Sequence, residues 1–254
     1  MGRSIVVTSG KGGVGKTTVT AGLGLALAKK GADVIVVDAD VTLNNLDLVL
    51  GLENMVSFDI FDVVNGKCRL NQALVQYPEL SLKLLPSVRN DDLPERDFRF
   101  IMNRLKEQSD FLLIDCPAGV DEGFMRAVDV AEEAIIVTTP TPSAIRDADK
   151  VISILNKLKM KRSSLVVNRV RGDLILDGDM LSPEEIAKLL KIRLIGCIPE
   201  DDSALDYKGV GKEDHSIAIK MIANYLKVGK GEIFDSTQSY RGFLGAIKRF
   251  IKKV

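Results

Sequence analysis

The chain has 254 residues, 35 of them basic and 35 acidic, so its formal charge at neutral pH is zero. That balance excludes a bulk field drawing in nucleic acid or a cationic partner, and leaves charge to act locally. Three cysteines, Cys68, Cys116 and Cys197, lack CxxC or metal-ligand spacing, and a lone histidine, His215, excludes a multi-histidine metal site.

Short runs rich in Val, Ile and Leu recur along the chain, at Ser4–Ser9, Asp33–Asp38, Leu82–Pro86, Phe111–Asp115, Ala134–Thr139, Ser164–Asn168 and Leu194–Pro199. They predict buried strands. Helical spacing falls between them at Gly15–Lys29, Glu95–Gln108, Ser143–Leu158 and Pro183–Leu190, with a last helix at His215–Lys227 that makes His215 a polar helix-start residue. Strand and helix alternate, which predicts one α/β domain with a mostly parallel sheet and helices on both faces. The first strand starts so early that no secretory leader is expected, and no run nears the roughly 20 apolar residues of a membrane span. A cytoplasmic protein is the expectation. A glycine- and serine-bearing stretch at 229–239 divides the expected domain, 1–228, from a tail of different composition, 240–254.

Between the first strand and the first helix lies Gly10-Lys11-Gly12-Gly13-Val14-Gly15-Lys16-Thr17, followed by Thr18, a match to G-x-x-x-x-G-K-[ST] in its required strand–loop–helix setting. Glycines let backbone N–H groups turn inward around phosphate oxygens, and the helix N-terminus adds partial positive charge. Lys16 neutralises the outer phosphates and the Thr17 hydroxyl can ligate Mg²⁺. ATP with Mg²⁺ is therefore the expected ligand of a P-loop NTPase. Lys11 has no task in its own loop.

Asp38 and Asp40 leave the end of the second strand, where open α/β sheets place their ligand crevice. Asp40 is expected to orient the attacking water and Asp38 to join the magnesium network through water. Asp115 ends the strand Phe111–Asp115 and has the type and place of a Walker B carboxylate, also reaching the metal through water. A strand-end Asp can instead merely cap the next turn.

The KGGVGKT loop resembles that of the deviant Walker A ATPases, and the likeness to their MinD branch runs from Ser4 to Val254. VDAD…NNLDLVLG, LNQAL at Leu70–Leu74, LLPS at Leu84–Ser87, DCPAG, SAIRDADKV at Ser143–Val151, VVNRVR, GDMLS at Gly178–Ser182 and IGCIPEDDSAL at Ile195–Leu205 carry it. The resemblance implies that Lys11 reaches a partner subunit's nucleotide across an ATP-dependent homodimer. It implies adenine contacts from Asn168 and from Pro199, Glu200 and Asp201. It also implies an ATPase that positions the division septum and meets a division inhibitor and an ATPase-activating regulator. Thr42 and Asn44 stand where the family usually has glycine and arginine, in a segment that adds to the partner surface.

In the tail, Phe243, Leu244, Ile247, Phe250, Ile251 and Val254 fall on one helical stripe, with Arg241, Lys248, Arg249, Lys252 and Lys253 opposite. Those five positive charges have no acid among them, leaving the other 239 residues at net minus five. A basic amphipathic helix after a linker predicts a peripheral anchor on an anionic inner membrane surface; a terminal helix packed on the domain is the plainer alternative. A ParA-type DNA-partitioning ATPase would share the loop but not this tail, and no specific nucleic-acid partner is expected. A flagellar-placement ATPase shares the tail but fits GDMLS and PEDDSAL less well. An iron–sulfur reductase would need a cysteine pair at the dimer axis. A scaffold that only binds ATP would have no use for Lys11, Asp38, Asp40 and Asp115 together.

Overall fold

Backbone pairing gathers the seven predicted strands and a short eighth into one sheet. The computed structural model describes residues 2–40, 45–87, 93–200 and 213–242. The strands are β1 (Arg3–Thr8), β2 (Val34–Asp38), β3 (Val75–Gln76), β4 (Leu82–Leu85), β5 (Phe111–Asp115), β6 (Glu133–Thr138), β7 (Arg162–Val170) and β8 (Arg193–Pro199). They lie in the order β3-β4-β2-β5-β1-β6-β7-β8, and every neighbouring pair is parallel except β3 against β4. β3 is two residues long, too short to carry the alternation by which a strand is recognised in sequence.

The helices are α1 (Lys16–Lys29), α2 (Leu46–Leu50), α3 (Ile60–Val64), α4 (Leu70–Ala73), α5 (Glu95–Glu107), α6 (Glu122–Asp129), α7 (Pro142–Lys157), α8 (Gly172–Asp177), α9 (Pro183–Leu190) and α10 (Glu213–Val228). The five helices expected from periodicity are present within two residues at either end. Apart from α9, the helices shorter than three turns are not legible, because so few turns give little period to read. Local chemistry fixes several boundaries. Ser182 and Glu185 form a capping box at the start of α9 with Pro183 at its first position, and the Asp121 side chain accepts from the Phe124 N–H to start α6.

Period-two alternation assigns each strand residue to one of two cores. Ile5, Val7, Val34, Val36, Leu113, Ile135 and Val166 face the layer of α1, α2 and α10, while Val6, Ile35, Val37, Leu112, Ile114, Ala134, Ile136, Leu165 and Val167 face that of α5, α6, α7 and α9. α1 is apolar on all sides because the sheet lies on one side and α10 on the other, burying Leu23 and Leu27 completely. Each such leucine contributes about 2 kcal/mol of transfer free energy. α1 thereby becomes a rigid base for the loop that precedes it.

The stretch 229–239 carries packing that its composition does not advertise. Phe234 lies against one core and Ile233 against the other, and Ser236 and Thr237 are buried. A Cβ on Gly172 would collide with the Ser236 carbonyl, so α8 and this stretch touch backbone to backbone. Thr42, Asn44, Asp201 and the tail residues Phe243, Leu244, Ile247, Lys248, Arg249, Phe250, Ile251, Lys252, Lys253 and Val254 lie outside the described residues. Among the described residues no helix is long and apolar enough to cross a membrane.

Candidate functional site

Parallel register brings the three chemical motifs to one edge of the sheet. Val7 pairs with Asp115, and Asp38 pairs with Asp115 on the other side. The loop after β1, the end of β5 and the end of β2 therefore open side by side at the carboxyl ends of the strands. These are the central strands β2, β5 and β1, buried on both faces, so the geometry is fixed by the core.

The loop from Gly10 to Thr17 turns through left-handed backbone at Gly13 (φ 76°) and Gly15 (φ 93°), Gly15 being the N-cap of α1. Gly10 is small for another reason: a Cβ there would strike the Asp147 carbonyl, so the loop lies directly on α7. The Ser9 hydroxyl donates to the Lys11 carbonyl (3.0 Å) and the Gly119 N–H to the Ser9 carbonyl (3.0 Å), tying the loop to the turn after β5. Lys11, Gly12 and Gly13 are exposed, Gly15, Thr17 and Thr18 half-buried, and Val14 and Lys16 buried.

Asp115 is the hub. It is 1% exposed and its carboxylate accepts from Lys16 Nζ (2.9 Å), Thr17 Oγ1 (2.7 Å) and Thr20 Oγ1 (3.0 Å). A buried carboxylate needs such donors, since leaving it unpaired costs several kcal/mol. Thr20 was not anticipated from the loop motif. Its signal was the spacing to Lys16, four residues on and therefore on the same face of α1.

Asp38 is 3% exposed and accepts from the backbone N–H groups of Asp40 (3.0 Å) and Leu46 (3.2 Å), bridging the end of β2 to the start of α2. It thus does cap the following turn, and it also faces Asp115. Burial, then the Asp115 charge, pushes its carboxyl up to about 7, against the downward pull of the two N–H bonds and of Lys16. Asp40 is buried beside it at 7% exposed. Thr17 with Asp38 and Asp115 makes an all-oxygen donor set of the kind hard cations such as Mg²⁺ prefer. The residues fit the ion.

Lys11 sits apart from this cluster. Its ammonium donates to Ser143 Oγ at the start of α7 (3.3 Å), a partner that sequence gave no reason to expect. Asn168, on β7, is 6% exposed and its Nδ2 donates to the Val14 carbonyl in the phosphate loop (2.8 Å). Pro199 and Glu200 line a cavity of about 720 Å³ with Val170 and Arg171, and the Glu200 N–H donates to the Val170 carbonyl. His215 lies in the first turn of α10 on the same cavity. Cys116 follows Asp115 but is wholly buried, and burial pushes its thiol far above the ordinary range, so it supplies no nucleophile.

The sequence profile of the CobQ/CobB/MinD/ParA nucleotide-binding domain matches residues 5–212. A septum site-determining protein MinD from Bacillus subtilis is 40% identical, the alignment covering 98% of each chain. Among solved structures, MinD in the MinC:MinD cell division protein complex of Aquifex aeolicus superimposes with a TM-score of 0.85 at 41% identity, covering 91% of this chain and 97% of that one. MinD complexed with Mg-ADP from Pyrococcus horikoshii gives 0.79 at 33% identity, over 90% and 97% of the two chains.

Proposed function

Since the chain belongs to the MinD branch of the CobQ/CobB/MinD/ParA nucleotide-binding family, we propose that it hydrolyses Mg·ATP and uses that turnover to attach to and leave a membrane while placing the division septum. One observation carries the chemistry: the phosphate loop, Asp115 and the Asp38–Asp40 turn open at the same edge of the sheet, held by parallel register. When bound, Mg²⁺ would be held by Thr17, with Asp38 and Asp115 behind it, and would neutralise charge on the outer phosphates. Lys16, the loop's own lysine, is paired with Asp115 in this structure and would turn to the outer phosphates when nucleotide binds. Asp40 orients water toward the γ-phosphate. Catalysis of this kind is mostly positioning and charge stabilisation, which suits side chains fixed by a rigid sheet.

Lys11 contributes in trans. Its ammonium is exposed and, among the described residues, is held by one long hydrogen bond to Ser143 and the nearby Asp147 charge, so reaching a second subunit's nucleotide sacrifices little. Two subunits then enclose two nucleotides with two-fold symmetry. Each carries one basic amphipathic tail, and a single short anchor binds weakly while a pair gains avidity. ATP therefore favours the membrane and hydrolysis favours release. The likeness to MinD of the Aquifex MinC:MinD cell division protein complex supports a division inhibitor as a partner.

The test is sedimentation with vesicles containing anionic phospholipid, in ATP and in ADP. The arms are the full chain, Asp40→Ala, and a chain ending at Gly242, which keeps Tyr240 on the cavity wall and the Arg241–Asp235 pair. The full chain should pellet with ATP and not with ADP, Asp40→Ala should stay on the vesicles in ATP, and the shortened chain should remain in solution. Equal pelleting in ATP and ADP, or full binding by the shortened chain, refutes the switch.

A further inference from the structure

We infer that Asn168 is a positioning residue for the phosphate loop, its amide acting as a strut between β7 and the Val14 carbonyl. The inference rests on the reading of this loop as the triphosphate site, and assigns the side chain a task separate from any contact with a base.

The strut is built by an irregularity in the sheet. β7 and β8 run in register at Val167 with Cys197 and again at Val170 with Pro199, so Asn168 and Arg169 lie across a shift in the pairing. Arg169 takes left-handed backbone there (φ 58°) and is exposed, while Asn168 is buried. Bulges commonly re-aim one side chain in this way. The result is that Nδ2 of Asn168 donates to the Val14 carbonyl at 2.8 Å, across 154 residues of sequence.

Val14 is 4% exposed, so water has little access to its carbonyl as a substitute donor. The next residue, Gly15, holds the left-handed conformation on which the loop turns into α1. A Cβ on Gly15 would overlap Asn168 Nδ2 well inside 3.0 Å, so glycine is required there for clearance as well as for its φ. The strut therefore bears on the two residues that aim the N–H groups of the loop and the first turn of α1. Among the described residues one amide hydrogen is used. The second hydrogen and the carbonyl oxygen stay available to a ligand, so base contact and loop support can coexist in one side chain.

The two roles separate with a ligand that has no base. Binding of Mg·tripolyphosphate and of Mg·ATP is measured by calorimetry for the full-length wild type, Asn168→Ala and the isosteric Asn168→Asp, which replaces the donor by an acceptor. In parallel, backbone hydrogen exchange is followed at residues 12–17 without ligand. Loss of one neutral hydrogen bond corresponds to about five- to tenfold in an equilibrium constant. Asn168→Ala should bind tripolyphosphate about that much more weakly and Asn168→Asp, whose negative charge also repels the phosphates, more weakly still; in Asn168→Ala exchange at 12–17 should rise by about the same five- to tenfold factor while the protected amides of β1 and β5 keep wild-type rates. Unchanged tripolyphosphate binding and unchanged loop exchange, with ATP binding alone weakened, would overturn the strut and leave Asn168 as a base contact. A uniform rise in exchange across β1 and β5 would also overturn it, showing a general loss of stability. If the wild type itself fails to bind Mg·ATP, the reading of the site fails, and the exchange arm decides the strut independently.

Discussion

Unfolding the protein in urea with EDTA present, at about pH 5.5 and at about pH 8, probes the charge arrangement around Asp38 without metal or nucleotide. Burial first, and the facing Asp115 carboxylate second, raise its carboxyl from 3.8 to about 7. The sign follows from which state holds the proton. Between those values the native protein keeps a proton that the unfolded chain has released, so stability falls as pH rises and levels off above the native value. The interval from about pH 5.5 to about pH 7 corresponds to a loss of about 2 kcal/mol, at roughly 1.4 kcal/mol per pH unit. For a chain of this length that is about 4 to 8 °C in melting temperature. Asp38→Asn removes the titration while keeping one carbonyl oxygen for the Asp40 or Leu46 N–H, so its own loss between the two conditions should be smaller by about 2 kcal/mol. Using the difference between wild type and variant cancels other groups that titrate in the same range. Equal pH dependence in the two proteins would refute the account, because no carboxylate penalty would then reside at Asp38.

Mixing Lys11→Ala with Asp40→Ala, each inactive alone, should restore ATP turnover to about a quarter of the wild-type level, since about half of the dimers in an equal mixture are mixed and each holds one site with its own Asp40 and its partner's Lys11; no recovery, with normal ATP-dependent mixed dimers, speaks against action in trans. Gly196 of β8 lies under Ile222 of α10, and a Cβ there would overlap Ile222 Cγ1 and Cδ1 well inside 3.0 Å. Gly196→Ala should destabilise by about 1 to 3 kcal/mol through overpacking. Ile222→Ala, which removes both overlapping carbons, should cost about 2 to 4 kcal/mol alone. The double variant should be at least about 1 kcal/mol better than the sum in urea unfolding, and additivity within about 0.5 kcal/mol would show that the two do not compete for space.

The phosphate loop was legible because its chemistry is local. Eight consecutive residues supply the turn, the cation and the hydroxyl, and a strand before with a helix after is enough to orient them. The strands were legible for a similar reason, since runs such as SIVVT and FLLID are buried on both faces and leave no alternation to misread. The ends of β2 and β5 could be proposed as carboxylate sites for the same local reason, each being an aspartate at the last position of a buried strand. Short helices such as α2 and α4, of five and four residues, have too few turns to show a period. The docking of 229–239 was hidden because Ile233 and Phe234 are outnumbered by polar neighbours, and the two cores they cover exist only in the folded chain.

What the sequence determined by itself is therefore the α/β class, the triphosphate loop and the candidate carboxylates, all of them set by neighbours within a few residues. What the tertiary structure decided is how distant residues share one another's hydrogen bonds and charge. The pairing of Asp38 with Asp115 across β2 and β5 makes one carboxylate raise the other. The convergence of Lys16, Thr17 and Thr20 on Asp115 spans nearly a hundred residues. The shift in pairing between β7 and β8 turns Asn168 toward Val14, and α7 offers Ser143 to Lys11. Such contacts are products of sheet register and helix packing. Register is summed over whole strands and their cores, so no single stretch of the sequence contains it.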